Sequence, residues 1–226
     1  MTGRLLPIIF LPAVCVWLAG CGKDPVQVES PEATGDKMKS TGSPIGKGFI
    51  PETFAKTFEI PAGDKDVYGN LIHKGTDEKA GLPKEIRHKA TGIHLVLIAP
   101  GSFQMGSNNS PHAYEKPVHK VTITKPFYLG KYEVTQAEWL KAMNSKPWEI
   151  KKDAGRVTTA SVNHVLWNQC QEFLVKLNQS SGLKSGMRFA LPTEAQWEYA
   201  CRAETTTKYY FGDDASKLGD YAWFDE

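Results

Sequence analysis

The chain has 226 residues, 41% hydrophobic and 23% charged, the balance of a soluble globular protein with room for one ordinary domain and its appendages. Lys+Arg 27 against Asp+Glu 25 leave a formal charge of +2, too even for a dedicated nucleic-acid surface or an acidic solvating tail. The cysteines, Cys15, Cys21, Cys170 and Cys201, are too few for a disulfide-dense miniprotein and form neither a C-x-x-C pair nor a group with a nearby His pair, as a zinc site would need.

Residues 1–20 read as a signal peptide. Arg4 is the only charge before Lys23, and the run from Leu5 to Leu18 is almost wholly apolar, interrupted by Pro7 and Pro12. At about 14–16 residues it falls short of the roughly 20 that a membrane-spanning helix needs, and it suits a signal h-region. It ends in Leu18-Ala19-Gly20-Cys21, which resembles a bacterial lipoprotein lipobox. That resemblance implies cleavage before Cys21 and lipidation of its thiol. Several acyl chains on one cysteine, at about 0.8 kcal/mol per buried CH₂, anchor a protein stably to a membrane. Gly22 follows, rather than an Asp, so the expected location is the cell envelope, at the outer membrane.

Residues 21–48 read as the lipidated cysteine and a flexible tether. Between Gly22 and Gly48 the only larger apolar residues are Val26, Val28, Met38 and Ile45, too few to offset the entropy of ordering the segment. Residues 49–90 read as a lead-in. Turn signals at Pro61-Ala62-Gly63, Tyr68-Gly69-Asn70 and Ala80-Gly81-Leu82-Pro83 separate scattered apolar residues, so the segment is expected to drape over the domain as a loop with short strands.

The folded domain is placed at 91–226. Ile93–Ile98 is rich in β-formers and is stopped by Pro100-Gly101, and Phe103-Gln104-Met105 follows; the short turn between them predicts a hairpin. Val118–Ile123 alternates apolar and polar residues like a half-buried strand, and Phe127–Tyr132 is another strand. Thr135 with Glu138 forms a capping box before a helix bearing Trp139, Leu140 and Met143. Trp167, Cys170, Phe173, Leu174 and Leu177 fall at helical spacing in a second helix that Gly182 and Gly186 close. Thr193 with Gln196 caps a third, with Trp197, Ala200 and Cys201 along one face. Strands followed by helices, without βαβ alternation, indicate an α+β domain.

Three segments are more specific. They are Ala99-Pro100-Gly101-Ser102-Phe103-Gln104-Met105-Gly106-Ser107, then Glu115–Val121 running into Phe127–Thr135, then Arg188-Phe189-Ala190-Leu191-Pro192-Thr193-Glu194-Ala195-Gln196-Trp197-Glu198-Tyr199-Ala200. In this order they resemble the formylglycine-generating enzyme family, the sulfatase-modifying factor domain, and Tyr210-Phe211-Gly212-Asp213 is similar to its aromatic-Gly-Asp turn. The resemblance implies an irregular α+β fold related to C-type lectins. It implies oxidation of a cysteine in a sulfatase polypeptide to formylglycine with copper and oxygen, and structural calcium. Some relatives carry out iron-dependent oxygen chemistry or have no known chemistry, so a non-catalytic lectin-like binding or scaffold module is the alternative. The family domain continues for roughly another hundred residues, within ordinary domain sizes, past the point where this chain ends at Glu226. The expectation is therefore a truncated domain, inactive alone, with no catalytic residue and with the copper-binding thiolates outside this chain.

The remaining residues have bland explanations. Cys170 and Cys201 match structural cysteines that, by the resemblance, pair with partners in the second half; a Cys170–Cys201 disulfide is left open, because sequence does not give the Cα separation. His112, Glu115 and His119 have a loose metal-like spacing, but Pro111 and Pro117 deny them an aligning helix, and a non-metal role is expected. Glu198 is expected to pair with Arg202 at i,i+4, and Glu194 to favour the helix N-terminus. Trp139, Trp167, Trp197 and Trp223 are expected in the core. Asp213, Asp214, Asp220 and Asp225 offer oxygens of the kind calcium takes, although exposed acidic turns are common.

Overall fold

Burial alternates along His119–Ile123, with Val121 and Ile123 inside and Lys120 exposed, so the two-residue period of the sequence becomes a strand with one face in a core. The computed structural model describes residues 17–19, 26–28, 52–61, 76–77, 82–150, 159–183 and 187–222. Cys21, the rest of the tether apart from Val26–Val28, and Trp223 lie outside them. The elements in chain order are β1 (Trp17–Ala19), β2 (Val26–Val28), α1 (Glu52–Thr57), β3 (Phe58–Glu59), β4 (Thr76–Asp77), β5 (Leu82–Pro83), β6 (Glu85–His88), β7 (His94–Ile98), β8 (Gly101–Met105), β9 (His119–Ile123), β10 (Phe127–Gly130), α2 (Gln136–Met143), α3 (Trp167–Ser181), β11 (Arg188–Ala190) and α4 (Glu194–Arg202). The fold is α+β, as expected. Among the described residues no helix is long and apolar enough to cross a membrane.

A six-stranded sheet has the order β11-β1-β10-β7-β6-β3, every neighbour antiparallel. A second sheet has the order β2-β9-β8, and β4 pairs with β5. The expected β7–β8 hairpin does not form. β7 pairs with β6 and β10, whereas β8 pairs with β9 from Gly101↔Ile123 to Met105↔His119. Ala99-Pro100 is thus a corner between sheets: Leu95 and Leu97 of β7 pack in the first core, while Ile98 at its end already joins Phe103 and Met105 of β8 in the second. A Cβ at Gly101 would meet the Tyr199 hydroxyl, so Tyr199 of α4 packs directly against the corner.

The first core lies between the six-stranded sheet and helices α2 and α3. Ile86, Leu95, Tyr128 and Phe189 meet Trp139, Cys170, Phe173, Leu174 and Leu177, and Trp139 stacks flat on Phe173 at 5.0 Å. Each fully buried large apolar side chain contributes about 1.5–3 kcal/mol. The lead-in is built into this core rather than draped over it. Phe54 and Phe58 are buried, β3 and β6 extend the sheet, and the Thr57 hydroxyl donates to Ser181 C=O at 2.7 Å. The second core gathers Val121, Ile123, Phe127 and Ala195 with Phe103, Leu129 and Tyr199, so α4 covers the junction of the two sheets.

Both capping boxes are present. Thr135 Oγ1 accepts from the Glu138 N–H and Glu138 Oε2 accepts from the Thr135 N–H; Thr193 and Gln196 repeat the arrangement on α4. At α3 only half a box forms, with Gln169 Oε1 accepting from the Leu166 N–H at 2.7 Å. Gly182 ends α3 in the left-handed region at φ 57°.

Three core expectations are corrected. Trp167 keeps helical spacing with Cys170 but is the first residue of α3, and it is 64% exposed. On α4 the buried face is formed by Ala195 and Gln196, with Tyr199 reaching the second core. Trp197 and Cys201, four residues apart, share the neighbouring stripe, so Trp197 is half-buried and Cys201 exposed.

Candidate functional site

The expected Glu198–Arg202 pair exists and does more than stabilise one helix. Arg202 Nε donates to Glu198 Oε1 at 2.8 Å, Nη1 to Thr207 C=O at 3.3 Å and Nη2 to Gly106 C=O at 3.2 Å. Glu198 Oε1 also accepts from the Gly106 N–H at 3.0 Å. The pair therefore clamps the end of β8 and the segment after α4 to one helix face. Gly106 sits at φ 92°, and a Cβ would meet the Glu115 carbonyl oxygen.

Beyond the clamp, α4 ends with Ala203 and Glu204 at positive φ, and the chain turns back through the Tyr209–Gly212 bridge. Phe211 stacks on Tyr209 at 5.0 Å and on Tyr221 at 4.2 Å, while Tyr210 stands edge-on to both Phe211 and Tyr221. Lys208 Nζ lies 5.1 Å from the Tyr209 ring centroid. Tyr210 and Tyr221 are about half exposed, so these four rings form an open aromatic ridge. Cys201 lies beside it, close enough to contribute to the raised phenol pKa of Tyr210, after burial and Tyr221.

The two thiols are separate. Cys170 is buried in α3 and Cys201 is exposed at the end of α4, and both are free. Burial raises the Cys170 pKa. For Cys201, exposed but with its thiol partly desolvated by its neighbours, that desolvation leads, with Arg202 opposing it and Glu198 reinforcing it, and the net shift is upward. A Cu(I) site needs thiolates that converge on one ion; Cys170 lies in the first core and Cys201 at the exposed end of a different helix, so these two side chains do not offer such a pair.

The other candidates are placed as follows. His119 Nδ1 lies 3.0 Å from Pro117 C=O, His112 stacks on Tyr114, and Glu115 offers its backbone carbonyl to Ser107 N–H. Asp213 accepts from Lys208 N–H, and Asp214 from Ser216 N–H and hydroxyl. Asp220 ends the turn Ala215–Asp220, and Asp225 lies outside the described residues. Among the described residues no three His, Cys, Asp or Glu side chains come together as a metal site would require. The ridge therefore offers stacking and apolar burial rather than acid–base or metal chemistry. Its Tyr209–Phe211 part lay in the aromatic-Gly-Asp turn, but the Tyr221 stack, ten residues on, had no sequence signal beyond aromatic density.

Sequence reading also passed over His88. It is 1% exposed, with Nδ1 2.7 Å from Thr91 Oγ1 and Nε2 3.2 Å from Ser181 Oγ, between the rings of Phe58 and Phe189. Burial lowers its pKa to about 4.

The chain is similar to known proteins. The chaperone protein LppX of Paenibacillus barcinonensis is 24% identical over 159 residues, 58% of this chain and 52% of its own length. The solved structure of PvdO from Pseudomonas aeruginosa is 25% identical, with a TM-score of 0.48 over 59% of this chain and 56% of that one. The chain thus spans about half the length of each of these relatives. The model of the sulfatase-modifying factor enzyme 1-like domain matches residues 79–224, taking in the sheet from β6 onward, all of α2, α3 and α4, and the aromatic ridge; to that family this chain belongs.

Proposed function

We propose that this chain is part of an envelope-anchored protein of the formylglycine-generating type, and that residues 22–226 alone do not oxidise a sulfatase cysteine. The observation that carries the second statement is the state of the two thiols: one buried, one exposed, on different helices, both with raised pKa. Copper would be held by thiolates outside these residues. Family membership supports the reaction class, and Leu18-Ala19-Gly20-Cys21 supports a lipidated Cys21 on the outer membrane.

The test is to incubate the processed full chain with copper, oxygen and a peptide bearing a sulfatase Cys-x-Pro-x-Arg motif, and to follow formylglycine by mass. No product is expected. Turnover that disappears on Cys170→Ser or Cys201→Ser would contradict the proposal. The exposed ridge of Tyr209, Tyr210, Phe211 and Tyr221, together with a relative named as a chaperone protein, favours a second reading, a non-catalytic module that holds another polypeptide. Binding of unfolded sulfatase that is weakened by Tyr210→Ser and Tyr221→Ser, without any oxidation, would select it.

A further inference from the structure

The anchor and the second sheet together set a distance. Only residues 22–25 separate Cys21 from Val26, the first residue of β2. At roughly 3.3–3.6 Å per residue, Val26 lies within about 18 Å of Cys21. β2 is built into the fold: it pairs with β9 from Val26↔Ile123 to Val28↔Val121. It belongs to a different sheet from β1, so removal of residues 1–20 leaves its pairing with β9 in place.

The registers identify which end of the sheet is held near the anchor. Val26 faces Ile123 on β9, and Ile123 faces Gly101 on β8, so the three lie in one line across the sheet. β2 and β8 start on that line and β9 ends on it. Just beyond it come the corner Ala99-Pro100 and the turn Thr124-Lys125, and all four of these residues are exposed. None carries a carboxylate, and the Lys125 ammonium suits anionic lipid headgroups. The opposite end is marked by the pair Met105↔His119, beyond which the Ser107 N–H donates to Glu115 C=O at 3.0 Å. The strand rise from Ile123 to His119 puts that end about 14 Å farther from the anchor.

We propose that the lipidated protein is held close against the membrane, with the Val26–Ile123–Gly101 end of its second sheet facing the lipid surface. A free tether over residues 22–48 would instead place the domain about 30 Å from its anchor on average. That is roughly twice the 15 Å or so that is the radius of gyration of a 150-residue domain. The limit on distance is set between Cys21 and β2, and it holds whatever follows Glu226. This inference rests on the lipid anchor proposed above.

The test uses the lipidated protein isolated from membranes and returned to vesicles of phosphatidylethanolamine and phosphatidylglycerol that carry a headgroup nitroxide. Cys201→Ser leaves one introduced thiol to take a fluorophore, since Cys170 is buried. That thiol is placed by Ala99→Cys at the corner or by Ala113→Cys in the exposed turn at the far end. The nitroxide should quench the label at the corner and not the label at the far end. A Gly-Ser insertion of about 20 residues, adding about 25 Å of reach, is then made after Lys23 or after Ser30. Insertion after Lys23 should abolish quenching at the corner, and insertion after Ser30 should leave it unchanged. Equal quenching at the two sites, or the same response to both insertions, overturns the inference while leaving the anchor standing. An intact mass without acyl chains on Cys21 overturns the anchor, and this inference with it.

Discussion

His88 shows how far a single residue can depart from its sequence surroundings. It lies between Arg87 and Lys89 in a polar stretch, and nothing local marks it as buried. Burial follows from Phe58, Phe189 and the last turn of α3, which come together only in the fold. Its folded pKa, about 4, lies below the unfolded value of 6.5. Above pH 6.5 it is neutral in both states and the folded protein has its full stability. As pH falls from 6.5 toward 4 the unfolded chain takes up the proton and the folded chain does not, so stability is lost, by about 3 kcal/mol in total. Denaturant midpoints between pH 7.5 and 4 should fall more steeply for the wild type than for His88→Gln, and parallel curves would contradict the assignment. Trp167 and Cys201 make the converse point. Helical periodicity placed both on apolar faces, but periodicity identifies a stripe without saying where along the helix its cover stops.

At the scale of elements, helix starts were the most legible feature, because a capping box is a local chemical signature. Thr135→Ala and Thr193→Ala should each lower stability by about 1 kcal/mol, read as a drop in the urea midpoint. An unchanged midpoint would mean that the caps contribute nothing. Strand pairing was less legible. The β7–β8 turn has the composition of a hairpin, yet the chain changes sheets there, since pairing is decided by which core each apolar residue fills. The attachment of β11 to α3 had no sequence signal, because Asn178 and Phe189 are brought together by tertiary structure. Asn178→Leu removes both hydrogen bonds to Phe189 and leaves its N–H without that acceptor. A loss of about 2 kcal/mol is expected, with faster amide exchange at Phe189 than elsewhere in the sheet. Uniform exchange across the sheet would show that the attachment is not local.

For the whole molecule, composition and periodicity reached an α+β domain, and the three motif segments reached the family. The family match confirms that membership over residues 79–224. The two-sheet arrangement, the inclusion of Phe54 and Phe58 in the core, and the aromatic ridge required the structure, because each depends on contacts far apart in sequence. Within this family fold Cys170 is a buried thiol of α3 and Cys201 an exposed thiol of α4, and the proposal that they form no copper pair rests on that placement. The most direct measurement is an anaerobic Cu(I) titration of the processed protein against a competing chelator, with alkylation of each thiol followed by mass. The account predicts no competitive Cu(I) site, Cys201 alkylated in the native state, and Cys170 alkylated only after unfolding. One tightly held Cu(I) per chain that protects both cysteines and is lost on Cys170→Ser or Cys201→Ser would contradict it.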